Sequence, residues 1–241
     1  MSDQRDTPGD PSRVVTIVPT GTANLASVIS AFTRLGATHH IAHTPQEILT
    51  ANRLVLPGVG AFAAAMDSLK QQSLTEAIKA RLADGRPCLG ICLGMQVLFA
   101  SSEESPGTEG LGIINAHISR IDSASVRVPH LGWSRITPVI PQARVIDSQL
   151  NSIPLTEGFA YFAHSYRLVA KSNFISSLHA QGWNVAITDH GTPFVSCLSR
   201  GNTLACQFHP ELSSEYGMNL LKRWLEPPIS THSLTMTQGA A

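Results

Sequence analysis

In the first half of the chain, short apolar runs alternate with stretches whose apolar residues recur at helical spacing. Val14–Val18, Arg53–Leu56 and Pro87–Ile91 are largely apolar on both faces, which suits parallel strands buried between helices. Leu25, Val28, Ile29 and Phe32 form an i, i+3, i+4, i+7 stripe, reached through a turn containing Gly21 and ended by Gly36. Thr38–Ala42 reads as another strand. Phe62, Met66 and Leu69, then Leu74, Ala77, Ile78 and Leu82, continue the helical pattern up to Asp84-Gly85. A further helix carrying Met95, Val97, Leu98 and Phe99 is expected after Cys92. The order β-α-β-β-α-β-α is the start of a doubly wound α/β fold.

After Gly110 the texture changes. Ile113–Ile121, Phe159–Leu168, Val185–Thr188, Pro193–Leu198 and Thr203–Phe208 read as strands with little helix between them. A last helix near Ser213–Leu225 turns Leu220, Leu221, Trp224 and Leu225 inward, with Ser213 or Ser214 as N-cap. The expected architecture is one α/β domain over 13–226, a doubly wound mixed sheet flanked by helices. Residues 1–12 read as a disordered arm and 227–241, opening on Pro227-Pro228, as a flexible tail.

Charge narrows the function classes. Lys+Arg and Asp+Glu are both 17, so no net field draws the chain to nucleic acid or an anionic membrane. No apolar stretch approaches the roughly 20 residues that span a bilayer. The polar start MSDQRDTPGDPS has no hydrophobic leader, so a cytoplasmic setting is expected. Cys88, Cys197 and Cys206 lie in apolar strands and read as core. His39, His40 and His43 have no thiol or acidic cluster beside them and read as a strand edge or loop, not a metal site. His190 reads as a turn residue; His130 and His164 are not set aside, and His164, just before Ser165-Tyr166, is a candidate to line the site or a partner surface.

Cys92 differs from the other cysteines. It stands in Gly90-Ile91-Cys92-Leu93-Gly94, between a predicted strand and a predicted helix, the layout of a nucleophile elbow. Such a turn projects the side chain clear of the backbone, and a helix N-terminus behind the sulfur favours thiolate. The Leu93 N–H, one residue on, is a natural oxyanion donor, and one such donor is worth about 10²–10³ in rate. A thiol nucleophile needs a base held by a third group. His209 ends a predicted strand, and Glu211 lies close enough to orient its ring.

Taken together, G90-I-C-L-G-M-Q96 and Q207-F-H-P-E211 resemble the class I (triad) glutamine amidotransferases. Within that group, Leu56-Pro-Gly-Val-Gly60, Ser102-Glu-Glu104, Pro129-His-Leu-Gly-Trp133 and Tyr161-Phe-Ala-His-Ser-Tyr166 are most similar to the glutaminase subunits of imidazole glycerol phosphate synthases. The resemblance runs from about Val14 to Leu225. It implies a flavodoxin-like fold and a triad of Cys92 as nucleophile, His209 as base and acid, and Glu211 as orienter. It also implies oxyanion donors at Val59, whose backbone can flip, and at Leu93. Gly58, Gly60, Gln96, Glu104, Ser165 and Tyr166 match positions around L-glutamine, and a free Gln96 amide is expected to read the amino-acid end. No cofactor or metal is implied. The implied partner is a separate (β/α)₈ cyclase subunit, docked around Trp133, that receives ammonia for histidine biosynthesis; the chain contains no second domain to use it. Pro19, Leu131 and Ser134 depart from the usual residues of the group. Two alternatives stay open: the glutaminase subunit of another class I amidotransferase, and a non-catalytic scaffold of the same fold.

Overall fold

The computed structural model describes residues 13–20, 25–124, 126–140 and 152–226. The expected arm, the Gly21 turn and the expected tail lie outside the described residues. Twelve strands are described: β1 (Val14–Ile17), β2 (Thr38–Ile41), β3 (Arg53–Leu56), β4 (Cys88–Ile91), β5 (Phe99–Ser102), β6 (Ile114–Arg120), β7 (His130–Val139), β8 (Gly158–His164), β9 (Tyr166–Arg167), β10 (Asn184–His190), β11 (Thr192–Arg200) and β12 (Thr203–Cys206). The described helices are α1 (Leu25–Arg34), α2 (Pro45–Thr50), α3 (Phe62–Gln71), α4 (Thr75–Ala83), α5 (Leu93–Gln96), α6 (Ser172–Ala180) and α7 (Ser214–Trp224).

Nine strands form one sheet in the order β2-β1-β3-β4-β12-β11-β10-β7-β8, and β5-β6-β9 form a small second sheet. The large sheet is parallel from β2 to β12 and antiparallel from β12 to β8. Its parallel strands bury both faces. Leu54 and Leu56 point into a cluster with Phe62, Met66, Leu69 and Ile78 of α3 and α4. Val55 between them points the other way, among Val28 and Phe32 of α1 and Leu220, Leu221 and Trp224 of α7. This period-2 division of an apolar run between two helical layers is the physical content of a doubly wound sheet. No described helix is long and apolar enough to cross a membrane.

Several elements differ from the pattern reading. The helix after Cys92 is a single turn, and the chain then folds back so that Phe99 opens β5. Met95, Val97, Leu98 and Phe99 are all buried, and a run buried on every side carries no period to separate helix from strand. Helix α2 was not foreseen, although Thr44 and Glu47 form a reciprocal capping box at its start. Strand β7 and helix α6 were also missed. The predicted strand Phe159–Leu168 breaks at Ser165, and Tyr166–Arg167 leaves the large sheet to pair with β6. His39 and His40 lie exposed on edge strand β2, and His40 pairs with Glu47 at 3.0 Å.

Candidate active site

The elbow forms where β4 ends. Cys92 has φ 52° and ψ −107°, a strained conformation for a residue with a side chain, and the one-turn helix α5 follows it. Its N–H donates to Cys206 O at 2.7 Å, so the end of neighbouring strand β12 holds the turn. Neither flanking glycine has a positive φ. They make room. A Cβ on Gly94 would sit 1.8 Å from Leu56 O, and one on Gly90 would sit 2.8 Å from Gly94 O. Gly58 is equally confined, with Leu93 Cβ 2.5 Å from where its own Cβ would be. Bare backbone at these three positions lets the elbow pack directly on the end of β3.

His209 leaves β12 through Phe208 and is pinned at both ends of its backbone. Its N–H donates to Tyr161 O at 2.9 Å, and its carbonyl accepts from Ser213 Oγ at 2.6 Å. Ser213 stands at the N-cap of α7 as expected, but its hydroxyl serves His209 and accepts the Tyr161 N–H at 2.9 Å instead of capping the helix. His209 Nδ1 lies 2.8 Å from Glu211 Oε1, and both side chains are buried. The carboxylate accepts from Nδ1–H, which fixes the ring and leaves Nε2 as the reactive nitrogen.

Burial is the largest single influence on His209 and works against its charge. Interaction with Cys92 and Glu211 together exceeds it and raises the pKa to about 10. Against an unfolded value near 6.5, protonation of His209 favours the folded state. That contribution is complete below about pH 6.5 and is lost as pH rises through about 10. A ¹⁵N-histidine NMR titration is expected to find His209 still imidazolium at pH 8, with its titration moved lower in Cys92→Ala. A neutral ring at pH 8 in the wild type contradicts this account.

An open cavity of about 270 Å³ lies beside the sulfur. Gly60, Gln96, Glu104, Ser165 and Tyr166 line it together with Cys92. Gly58 does not. It borders a second cavity of about 160 Å³ on the other side of Val59 and Ala163, where His209 and Glu211 also lie. Leu93 N–H, the expected oxyanion donor, is engaged by Gly58 O at 3.3 Å. Gln96 does not have a free amide. Its Nε2 donates to Tyr166 O at 2.9 Å and to Gln207 Oε1 at 3.0 Å, which leaves only Oε1 to meet a ligand. Glu104 Oε2 accepts from Phe62 N–H at 2.7 Å and so caps α3, whose own N-cap residue, Ala61, has no side chain able to do so.

His164 lines the same cavity and is tied to His130, Nε2 to Nδ1, at 3.2 Å. Burial first, then the neighbouring histidines, push His164 down to about 3 and His130 down to about 4, so both rings are neutral near pH 7. Gln207 is the residue that sequence reasoning overlooked. Its Nε2 lies 3.7 Å from Cys92 Sγ. The available signal was its place two residues before His209, which puts both on one face of an extended chain.

A family model described as class-I glutamine amidotransferase matches residues 17–226. The chain belongs to this family. Among curated relatives of this amidotransferase, the "Imidazole glycerol phosphate synthase hisHF, chloroplastic" of Arabidopsis thaliana is 41% identical over 217 residues, 90% of this chain and 34% of that protein. The "Imidazole glycerol phosphate synthase subunit HisH" of Methanothermobacter thermautotrophicus is 38% identical over 213 residues, 88% of this chain and 98% of that subunit. The chain therefore spans about a third of the plant protein and nearly all of the archaeal one. A crystal structure described as a glutamine amidotransferase superposes with a TM-score of 0.63 at 17% identity, covering 88% of this chain and 97% of the other, a likeness of fold alone.

Proposed function

We propose that this glutamine amidotransferase is the glutaminase subunit of an imidazole glycerol phosphate synthase, with Cys92, His209 and Glu211 as its catalytic triad. The observation that carries the reading is the strained elbow. There the Cys92 thiol stands at the wall of a ligand-sized cavity and interacts with His209 of a buried His209–Glu211 pair. Cys92 thiolate attacks the side-chain carboxamide of L-glutamine. His209 imidazolium gives a proton to the departing ammonia, and the neutral ring then activates the water that cleaves the γ-glutamyl thioester to glutamate. This sequence uses only the chain's own groups.

The oxyanion step needs one rearrangement. Gly58 C=O and Val59 N–H belong to the same peptide unit, so turning that unit over withdraws the carbonyl from Leu93 N–H and points Val59 N–H the opposite way. One flip then yields two donors. The turn changes ψ of Gly58, which has no side chain to oppose it. Gly60, Gln96, Glu104, Ser165 and Tyr166 hold the glutamine, Gln96 through Oε1.

The cyclase subunit docks on the sheet edge. Leu131, Trp133 and Phe159 are large apolar residues more than half exposed on adjacent strands β7 and β8. Leu131 also lines the glutamine cavity, so this face reaches the site directly. The name and length of the Arabidopsis relative, two thirds of which lies beyond the matched part, support a partner of this kind. Glutamate release from glutamine tests the reading. The subunit alone is expected to be slow, and a cyclase subunit with its nucleotide ligand is expected to speed it by about 10²–10³, the worth of an oxyanion donor. High activity indifferent to the cyclase favours another class I amidotransferase. Absence of activity in every mixture favours a scaffold.

A further inference from the structure

Gln207 is buried, with about 1% of its surface exposed, and its side-chain nitrogen is 3.7 Å from Cys92 Sγ. Which end of a buried amide faces a neighbour is usually an assignment, but here a backbone carbonyl decides it. Tyr166 O can only accept. Gln96, 2.9 Å away, must therefore present its NH₂ there. The same NH₂ lies 3.0 Å from the far end of Gln207, which must be the oxygen. The Gln207 NH₂ is thus left facing the sulfur.

The anchor is itself fixed. His164 Nδ1 lies 3.0 Å from Tyr166 O and must carry the proton, so its Nε2 accepts from His130 Nδ1. His130 Nε2 then accepts from Ser134 Oγ at 2.9 Å. Every hydrogen bond from Ser134 to Cys92 has one direction, and a network with no freedom to turn over is a rigid mount.

We propose that Gln207 is a further residue of the catalytic centre, its buried N–H donating to Cys92 Sγ to favour and aim the thiolate, with Gln96 as its positioning residue. A hydrogen bond to the charged form of a group favours that form, and a charge-assisted bond in a buried site is among the stronger ones. In the thiol form the Cys92 S–H is turned toward Ala163 O, 3.9 Å away. Ionisation removes that donor and leaves the Gln207 N–H as the sulfur's buried amide partner. Gln207 does not line the glutamine cavity, so it acts on the sulfur directly and on bound glutamine only through Gln96.

The inference rests on Cys92 being the nucleophile, and its test is read on the thiol itself. Alkylation of Cys92 by iodoacetamide, followed by peptide mapping across pH, needs neither glutamine nor a partner. In Gln207→Met the midpoint is expected to rise by about one pH unit, with about 5–10-fold slower alkylation at pH 7. Gln207→Glu is expected to shift it further, because a carboxylate opposes a thiolate. Gln96→Met is expected to shift it less, in the same direction. Glutamate release by Gln207→Met is expected to fall in kcat by about the same factor.

Should Gln207→Met lose its near-ultraviolet circular dichroism, the wild type still decides. Its Gln207 side-chain ¹⁵N resonance is expected to titrate with the alkylation midpoint and to become flat in Cys92→Ala. An unmoved midpoint in a folded Gln207→Met, or a flat resonance in the wild type, overturns the proposal. Glutaminase activity surviving in Cys92→Ala would instead overturn the triad, a separate outcome.

Discussion

Cys92→Ala is expected to lower partner-activated glutamate release by about 10⁴-fold or more, into the background of the assay. The loss is large because covalent catalysis has no substitute here. Without sulfur there is no thioester, and His209 has no nucleophile to serve. The fold is expected to survive. Cys92 makes its main structural contact through its backbone, the N–H to Cys206 O, and alanine keeps that bond. The melting temperature is therefore expected to stay within a few degrees of the wild type, and affinity for the cyclase subunit to be unchanged. Activity within tenfold of the wild type would remove Cys92 from the chemistry. A protein that no longer folds or docks would make the elbow's side chain structural.

Gly94→Ala is expected to carry the largest structural cost of any single methyl in the chain's elbow, about 3 kcal/mol or more in urea unfolding. The methyl would fall 1.8 Å from Leu56 O; a Cβ is held rigidly on its own backbone and the oxygen is backbone, so neither can turn aside. Leu56 ends β3 and Gly94 lies in α5, so relief of the clash must pry the elbow from the sheet. Activity should fall with it, since the same movement displaces Cys92 and the Gly58–Leu93 contact. Gly112→Ala is the control. That glycine has φ 66° and open space around its missing Cβ, so its cost is only the left-handed strain of about 1 kcal/mol. Equal costs for the two substitutions would mean that the elbow yields easily and that the close approach is not required.

Cys92 and Gly94 both fall in a pentapeptide that is legible from sequence alone. Short apolar runs, helical stripes and a final amphipathic helix fix the doubly wound half of the fold, because each run must bury both faces and each stripe one. The triad residues are legible for a related reason. A thiol, an imidazole and a carboxylate are reactive by type; Cys92 and His209 each stand at the end of a predicted strand, where a sheet of this kind gathers its chemistry, and Glu211 lies two residues past His209. The elements that escaped notice lack such marks. Strand β7 runs through polar and glycine positions because part of it faces solvent, and α6 carries too few buried residues to form a stripe.

Which hydrogen bond each group makes was decided only in three dimensions. Gln96 looks like a free amide one helical turn from the nucleophile, yet its NH₂ is taken by Tyr166, 70 residues away, and by Gln207, 111 residues away. Leu93 N–H looks like a ready donor, yet Gly58 O holds it. Glu104 is expected beside glutamine and does line that cavity, yet its Oε2 also caps a helix that begins 42 residues earlier. Sequence determines which atoms can donate, accept or attack. Partner choice depends on distances set by the packing of separate strands, and no local pattern encodes it. Sequence thus specified the reactive groups of this protein, and the tertiary structure specified how they are held, oriented and kept waiting.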